Sequence, residues 1–200
     1  MPDKQGLLLS GGMDSISLAY WLRPAVAYTI DYGQQPAEAE IRASKAVTRA
    51  LKIKHEVIRV DCRSLGSGDL AGRPAIKGAS SSEWWPYRNQ LLVTIAATKA
   101  VQAGLQQLAV GCLSTDRGHI DGRASFIRAM DRLLSIQEGG LRLVAPAIRL
   151  TAATLVRKSG IPLDLLAWAH SCHTSNLACG HCRGCNKHWQ VYAKLKQNPY

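Results

Sequence analysis

Residues 10–15, Ser-Gly-Gly-Met-Asp-Ser, have the types and spacing of a phosphate-binding loop. They follow a short apolar run that predicts a buried strand, and they open a predicted helix, whose first backbone amides attract anions. The two glycines lack a Cβ, so a polyphosphate can come close to the main chain. Ser10 and Ser15 add hydroxyl donors, and Asp14 is predicted to cap the helix or to orient a metal-bound water. The stretch predicts a nucleotide-phosphate site, with an ordinary turn as the alternative, and no lysine follows as in the G-x-x-x-x-G-K-[ST] loop.

A second group of reactive residues lies near the C-terminus, where four of the six cysteines are close together in sequence. They are Cys172, Cys179, Cys182 and Cys185, and the last three form a C-x-x-C-x-x-C run. Four thiolates within reach of one ion predict a structural zinc site with no open coordination position. Three alternatives stay open: an iron–sulfur cluster, His173 or His181 in place of one cysteine, and a disulfide, which a cytosolic setting disfavours.

Strand-like and helix-like segments alternate along the chain, which predicts an α/β fold with a parallel sheet and helices on its faces. The predicted strands are residues 6–9, 26–30, 56–60, 108–112 and 143–145. The predicted helices are residues 15–22, 37–51, 88–103, 125–137 and 151–159, the last with Thr151 as its cap. Because such sheets bind ligands beyond the carboxyl ends of their strands, one crevice should be surrounded by residues 10–15, 31–34, the segment from Cys62 onward, and 112–123. Residues 62–82 carry too much Gly, Ser and Pro for a regular element and are predicted to be a lid or a disordered segment.

The composition bounds the function classes. The 200 residues are 46% hydrophobic and 20% charged, a globular balance, and 25 Lys and Arg against 14 acids give a formal charge of +11. A basic protein attracts anions, including ATP, pyrophosphate and nucleic acid. The N-terminus lacks the layout of a signal peptide, and no apolar run approaches the ~20 residues that span a bilayer. The sequence therefore predicts a soluble, cytoplasmic protein without a membrane partner.

Motifs spread over nearly the whole chain resemble the 7-cyano-7-deazaguanine synthase family of PP-loop ATP pyrophosphatases. The matching positions are residues 9–15 (LSGGMDS), 31–34 (DYGQ), Pro86 with Arg88-Asn89, Pro146, Thr151, 160–163 (GIPL), 171–172 (SC) and 178–185 (ACGHCRGC). The resemblance implies a PP-loop α/β domain over residues 1–160 and a small helical zinc-binding region over 161–200. It also implies ATP, Mg²⁺ and Zn²⁺ as cofactors and a homodimer.

The same resemblance implies a reaction. The family adenylates the carboxylate of 7-carboxy-7-deazaguanine with ATP, and ammonia displaces AMP to give the amide. A second ATP then activates the amide oxygen, and loss of AMP leaves the nitrile. AMP is a good leaving group where a carboxylate oxygen is a poor one, so the protein's task is positioning, charge stabilisation and exclusion of water.

The resemblance also assigns roles to residues of this chain. Nucleotide binding is implied for Leu9, Ser10, Gly11, Gly12, Met13, Asp14, Ser15, Ile16, Ser17 and Asp31. Substrate binding is predicted for Tyr87, Arg88, Asn89, Asp116, Asp121 and Arg123. Catalytic roles are predicted for Asp14, Ser15 and Arg88, because a guanidinium suits bidentate contact with an anion. The metal ligands are the four cysteines of the C-terminal group.

Three departures from the family's pattern fall around the predicted base pocket. Tyr87 stands where the family usually has glycine, and Gln35-Pro36 replaces a basic pair. Residues 118–123 form a loop that is shorter than the family's and differs from it in sequence. Two alternatives follow. One is a synthase-like enzyme of a bacterial antiviral defence operon that stops at the amide or joins the deazaguanine to a protein amine. The other is a PP-loop enzyme that modifies tRNA, although no separate RNA-binding domain is visible and nucleic acid is not the expected partner.

Overall fold

The computed structural model describes residues 4–196, apart from the side chain of Arg117, and contains one parallel sheet. Its strands are β1 (Gln5–Leu8), β2 (Val26–Asp31), β3 (Lys54–Arg59), β4 (Gln107–Ala109) and β5 (Arg142–Val144). Their spatial order is β3-β2-β1-β4-β5. The chain builds outward from β1 to β3 and then crosses to the other side of β1, so the order reverses between β1 and β4. Such a reversal opens a crevice at the carboxyl ends of those two strands.

The helices of the described residues lie on both faces of the sheet. They are α1 (Met13–Leu22), α2 (Ala37–Leu51), α3 (Arg88–Gln102), α4 (Ala124–Ser135), α5 (Ala152–Ser159), α6 (Leu163–Leu166) and α7 (Arg183–Leu195). The parallel α/β prediction is confirmed, with helix ends within about two residues of the predicted ones, the usual spread of boundaries. None of the helices in the described part of the chain is long and apolar enough to cross a bilayer.

The predicted cap is confirmed at α5, whereas at α1 the structure excludes the first of the two roles predicted for Asp14. The Thr151 hydroxyl accepts a hydrogen bond from the backbone N–H of Thr154, at 3.2 Å, and caps α5 as predicted. At α1 the cap residue is Gly12, with extended backbone and no side-chain cap bond. Asp14 therefore lies inside the first turn of α1 and does not cap it, which leaves its carboxylate available for another role.

Alternate side chains of each strand enter two different cores, as the period-two geometry of a strand requires. Leu7 and Leu9, both almost fully buried, pack with α1, α2, α5 and α7 on one face. Tyr28 and Leu108 are fully buried on the other face, against α3 and α4. Val191 and Tyr192 place α7 in the first of these cores, where the helix packs against α5 and holds the segment that carries the cysteines.

The irregular segment before α3 contributes buried groups. It contains two single 3-10 turns, Arg63–Leu65 and Asp69–Ala71. Trp85 is only 2% exposed, and its ring meets the Tyr32 ring edge-on with centroids 4.9 Å apart. Trp85 therefore packs the base of this segment rather than standing open to stack on a purine.

Tyr87, the residue before α3, has left-handed backbone with φ +55° and a side chain that is 78% exposed. This conformation costs a non-glycine residue about 1–2 kcal/mol, whereas glycine loses ~0.5–1 kcal/mol of backbone entropy on folding. We expect Tyr87→Gly to raise the free energy of unfolding by about 0.5–1 kcal/mol, as measured by urea denaturation. Tyr87→Ala, which keeps the strain, should show no gain; equal stabilisation by both variants would contradict this explanation.

Candidate active site and metal centre

A cavity of about 360 Å³ lies at the carboxyl ends of β1 and β4, where the strand order reverses. Its volume lies within the range of small-molecule sites. Ten of the predicted site residues line it: Leu9, Ser10, Gly12, Met13, Asp14, Ser15, Arg88, Asn89, Asp116 and Asp121. The phosphate loop and the predicted substrate residues therefore face one space, although they lie far apart in sequence.

The loop at residues 10–15 is held by its two serines. The Ser15 hydroxyl donates to the Gly12 carbonyl at 2.9 Å and accepts from the Ser10 backbone N–H at 3.2 Å. The two serine hydroxyl oxygens are also 3.1 Å apart. Since α1 has no side-chain cap bond, the backbone amides of its first turn keep their capacity to bind an anion in the cavity.

Three predicted nucleotide-binding residues support the loop from outside the cavity. Gly11 has φ +71°, and a Cβ there would lie 2.5 Å from the Glu40 carbonyl oxygen, so the close packing of α2 requires glycine. Ile16 is fully buried in the core, and the Ser17 hydroxyl donates to the Met13 carbonyl at 2.8 Å. These three residues shape the loop and do not line the cavity.

A lysine from α7 joins two of the predicted carboxylates. Lys187 Nζ lies 2.8 Å from Asp14 Oδ2 and 3.2 Å from Asp116 Oδ1. Burial raises the pKa of Asp14, although Lys187 opposes this. Burial disfavours the Lys187 ammonium, but the two carboxylates outweigh it and raise the pKa of the lysine. The phosphate loop, which lacks a lysine of its own, thus receives a cation from a residue far along the chain.

The second oxygen of Asp14 suits a metal ion. Asp14 Oδ1 is buried and has no hydrogen-bond partner among the described residues. It lines the cavity next to the serine hydroxyls of the loop, and hard oxygen donors of this kind bind Mg²⁺ together with substrate phosphates. The donor set therefore fits the expected Mg²⁺.

Glu40 lines the same cavity, and sequence reasoning did not select it. Gln34 donates to Glu40 Oε2 at 2.8 Å and to the Ile30 carbonyl at 3.1 Å, while its own oxygen accepts from the Tyr32 N–H at 2.9 Å. Both ends of the Gln34 amide are thus engaged, and its orientation is determined. Burial raises the pKa of Glu40 to about 7, against the hydrogen bond from Gln34 and the charge of Arg88. Glu40 can therefore exchange a proton near neutral pH.

The raised pKa of Glu40 has a consequence for stability. The folded protein holds this proton up to pH ~7 and the unfolded chain only to ~4.5, so the free energy of unfolding falls as the pH rises between these values. We expect Glu40→Gln to remove this decrease in the free energy of unfolding, which is of the order of 3 kcal/mol. The variant should therefore be more stable than the parent at pH 8 but not at pH 4.5. Urea denaturation at both pH values measures it. Glu38→Gln, at an exposed carboxylate two residues away, is the matched control, and a pH-independent difference for Glu40→Gln would contradict the prediction.

Glu83 is a further cavity residue that the sequence did not indicate. Its Oε1 accepts from Arg183 Nη1 at 2.6 Å and lies 3.0 Å from His119 Nε2. Burial raises the pKa of this carboxyl, but the hydrogen bond to His119 and the charge of Arg183 outweigh the burial and hold the pKa at about 2. Glu83 is therefore ionised at neutral pH although it is only 4% exposed.

The four C-terminal cysteines converge, with their sulfur atoms all within 4.8 Å of one another. Cys179 and Cys185 have their sulfur atoms 3.9 Å apart, as do Cys172 and Cys182. Thiolates bound tetrahedrally at ~2.3 Å to one zinc ion lie ~3.8 Å apart. In a four-iron cluster each thiolate binds a different iron, which demands a wider spacing. The sulfur positions therefore fit one tetrahedral ion.

Backbone contacts join this cysteine cluster to the phosphate loop. A Cβ on Gly184 would lie 1.8 Å from the Ser171 carbonyl oxygen, so the chain segments around the cysteines approach as closely as only glycine permits. The His170 N–H donates to the Gly11 carbonyl at 2.9 Å. The segment that leads into the cluster is thus bonded to the loop, and α7, which leaves the cluster, carries Lys187 into the cavity.

Three further residues of the predicted site lie outside the cavity lining, and their binding roles stay predictions. Asp31 ends β2 outside the cavity lining, where it accepts from the Gly33 N–H at 3.2 Å and lies 3.8 Å from Arg59. The exposed Tyr87 side chain does not line the cavity either. Arg123 lines a second hollow, with Arg128 and Arg149. Each of the three was placed by neighbours in sequence, which do not determine where a side chain points.

Comparison with known proteins identifies the family. A family model described as "Queuosine biosynthesis protein QueC" matches residues 5–196. The chain belongs to the QueC family. A relative named 7-cyano-7-deazaguanine synthase from Thermoplasma volcanium is 31% identical over 207 residues, covering 92% of this chain and 84% of the relative. One of the same name from Xanthomonas campestris is 30% identical over 200 residues, covering 91% and 89%. The expected resemblance and the assignment as an enzyme are thereby confirmed.

Solved structures of distant proteins share the fold of this QueC family member. The U34-tRNA thiolase NcsA from Methanococcus maripaludis, described with its [4Fe-4S] cluster, superposes with a TM-score of 0.51 at 12% identity, over 96% of this chain and 65% of that chain. NMN synthetase from Francisella tularensis gives a TM-score of 0.51 at 13% identity, over 98% and 79%. At such identities the likeness shows the fold alone.

Proposed function

We propose that this QueC family member uses ATP to adenylate the carboxylate of 7-carboxy-7-deazaguanine, amidates it with ammonia, and converts the amide to 7-cyano-7-deazaguanine with a second ATP. AMP and pyrophosphate leave in each activation. The observation that carries the proposal is that a phosphate loop with available helix amides opens into the same cavity as Arg88, Lys187 and an ionised buried carboxylate, in a chain of this family.

The residues divide the work of the proposed reaction. The backbone of residues 10–15 and Lys187 hold the phosphates, and Arg88 meets the α-phosphate or the substrate carboxylate as a planar double donor. Asp14 would hold Mg²⁺, which neutralises phosphate charge when bound. Glu40, with a pKa of about 7, accepts the proton released when ammonia forms the C–N bond. The buried walls limit the access of water to the acyl adenylate.

We propose that Cys172, Cys179, Cys182 and Cys185 hold Zn²⁺ in a structural role. Their sulfur spacing supports a single ion, and backbone N–H groups donate to the sulfur atoms: those of His173 and Cys185 to Cys182 Sγ, both at 3.4 Å. Such donors stabilise thiolates. Two further proposals rest on the family likeness alone: a homodimer in the cytoplasm, and a division into residues 1–160 and 161–200.

One experiment tests the proposed function. The purified protein is incubated with Mg-ATP, 7-carboxy-7-deazaguanine and ammonium, products are identified by mass spectrometry, and pyrophosphate is assayed in parallel. The proposal expects the nitrile with two pyrophosphates for each product formed. Amide as the end product would replace the synthase with an amide-forming or protein-conjugating enzyme. Neither pyrophosphate nor a deazaguanine product would overturn the substrate assignment, and salt-dependent tRNA binding would then favour an RNA-modifying enzyme.

A further inference from the structure

The two oxygens of the Glu83 carboxylate have different surroundings. Oε1 is engaged by Arg183 at 2.6 Å and by His119 at 3.0 Å. Oε2 is buried and has no hydrogen-bond partner among the described residues. A buried acceptor without a donor is unfavourable, and an ionised carboxylate accepts hydrogen bonds and donates none. Oε2 therefore suits a ligand group that carries N–H donors.

The position of Glu83 relative to the phosphate loop follows from α7. Arg183, which holds Glu83, and Lys187, which holds Asp14, are four residues apart on this helix. Side chains at that spacing lie on one face, with Cβ atoms ~5–6 Å apart. Through these two contacts, one face of α7 meets both Glu83 and the phosphate loop, which line the same cavity. That arrangement suits a purine-like base whose reacting substituent faces the phosphates.

The surroundings of Glu83 in the cavity suit such a base. Leu92 and Phe126 supply apolar wall, and His173 adds a ring nitrogen, Nδ1, that is also buried and has no hydrogen-bond partner in the described part of the chain. Asp116, a sequence-based candidate for reading the base, is already engaged, since Lys187 contacts its Oδ1 and the Leu113 N–H donates to its Oδ2 at 2.9 Å. Glu83 offers an open acceptor on a carboxylate that is fixed by two donors.

We propose that Glu83 determines the specificity for the base by accepting, at Oε2, an N–H of the amidine edge of a guanine-type ring, formed by the 2-amino group and the adjacent ring N–H. The inference rests on the proposed function and names how its substrate is recognised. Arg183 and His119 act as positioning residues, because they hold Oε1 and so aim Oε2. A ring without the 2-amino group leaves the carboxylate oxygen without one of its donors and binds more weakly.

The test compares 7-carboxy-7-deazaguanine with the analogue that lacks the 2-amino group. Equilibrium binding of each acid is measured by calorimetry, and substrate-dependent ATP–pyrophosphate exchange is measured separately. In both measurements the parent protein is expected to prefer 7-carboxy-7-deazaguanine over the analogue by about 10²-fold or more. A site built to hydrogen-bond a group rejects a ligand that lacks this group. If the parent binds the two acids equally, the proposal is overturned without recourse to any variant.

The variant Glu83→Gln locates the preference. Arg183 and His119 require an acceptor, so the amide oxygen takes the place of Oε1 and the amide NH₂ replaces Oε2. That NH₂ is a donor facing the donors of the base, and we expect the preference to fall at least tenfold, while binding of ATP alone stays within about threefold of the parent. Thermal unfolding checks that the variant is folded. Glu38→Gln, a change at an exposed carboxylate that does not line the cavity, should leave the preference intact; a fall there with none in Glu83→Gln would overturn the inference.

The two measurements separate this inference from the proposed function. A Glu83-dependent binding preference without pyrophosphate exchange would leave Glu83 as the reader of the base and overturn the adenylation. ATP–pyrophosphate exchange together with an unchanged binding preference in Glu83→Gln would support the adenylation and overturn the role of Glu83. Binding of neither acid to the parent would overturn both.

Discussion

The variant Lys187→Met is expected to lower substrate-dependent ATP–pyrophosphate exchange by about 10²–10³-fold, the cost of removing one preorganised group that stabilises developing charge. Lys187 contacts the carboxylates of Asp14 and Asp116 at the phosphate loop. Without the ammonium, two carboxylates remain in the cavity and repel the phosphates of ATP. We therefore expect kcat to fall and KM for ATP to rise.

Two further variants separate charge from packing at this position. Lys194→Met, an exposed change on the same helix, is the matched control and should retain exchange. Lys187→Arg keeps the charge and should recover part of the activity, because a guanidinium differs from an ammonium in geometry rather than in sign. Exchange in Lys187→Met equal to that of Lys194→Met would show that the phosphates do not depend on this cation.

The second large effect is expected from loss of the metal. Cys182 is the N-cap residue of α7, and its sulfur is 3.9 Å from that of Cys172. We expect Cys182→Ser to purify with less than a tenth of the parent's zinc and to show more than tenfold lower ATP–pyrophosphate exchange activity. Structural zinc sites supply ~10–16 kcal/mol of binding free energy that is coupled to folding. The start of α7 would loosen, and with it the placement of Arg183 and Lys187.

Elemental analysis and hydrogen exchange measure this outcome. Zinc content should be about one ion per chain in the parent, as four thiolates per ion imply. In Cys182→Ser, faster amide hydrogen exchange should be confined to the segment around the cysteines and the first turns of α7. Cys62→Ala, a buried cysteine in the other core, is the control and should keep the metal. Iron with visible absorbance in the parent protein would show an iron–sulfur cluster instead of zinc.

Much of this molecule could be predicted from the sequence because the signals are local. The loop at residues 10–15 is a short strand, a glycine turn and a helix start, which neighbouring residues specify by themselves. The cysteine group is equally local, since spacing within one segment determines which sulfur atoms can share an ion. The alternation of strands and helices likewise predicted a parallel sheet, and the sheet rule placed the crevice at the carboxyl ends of its strands.

What only the tertiary structure decided was which side chains meet across long separations in sequence. Lys187 reaches Asp14, 173 residues away, and Arg183 reaches Glu83, 100 residues away. No periodicity or spacing links such pairs, because their approach depends on the strand order β3-β2-β1-β4-β5 and on the packing of α7 against α5 in the core. Glu40 was missed for the same reason: its raised pKa comes from burial, which no local pattern reveals. The sequence by itself thus determined the family and predicted the phosphate loop and the cysteine cluster, whereas packing decided which charges complete the site.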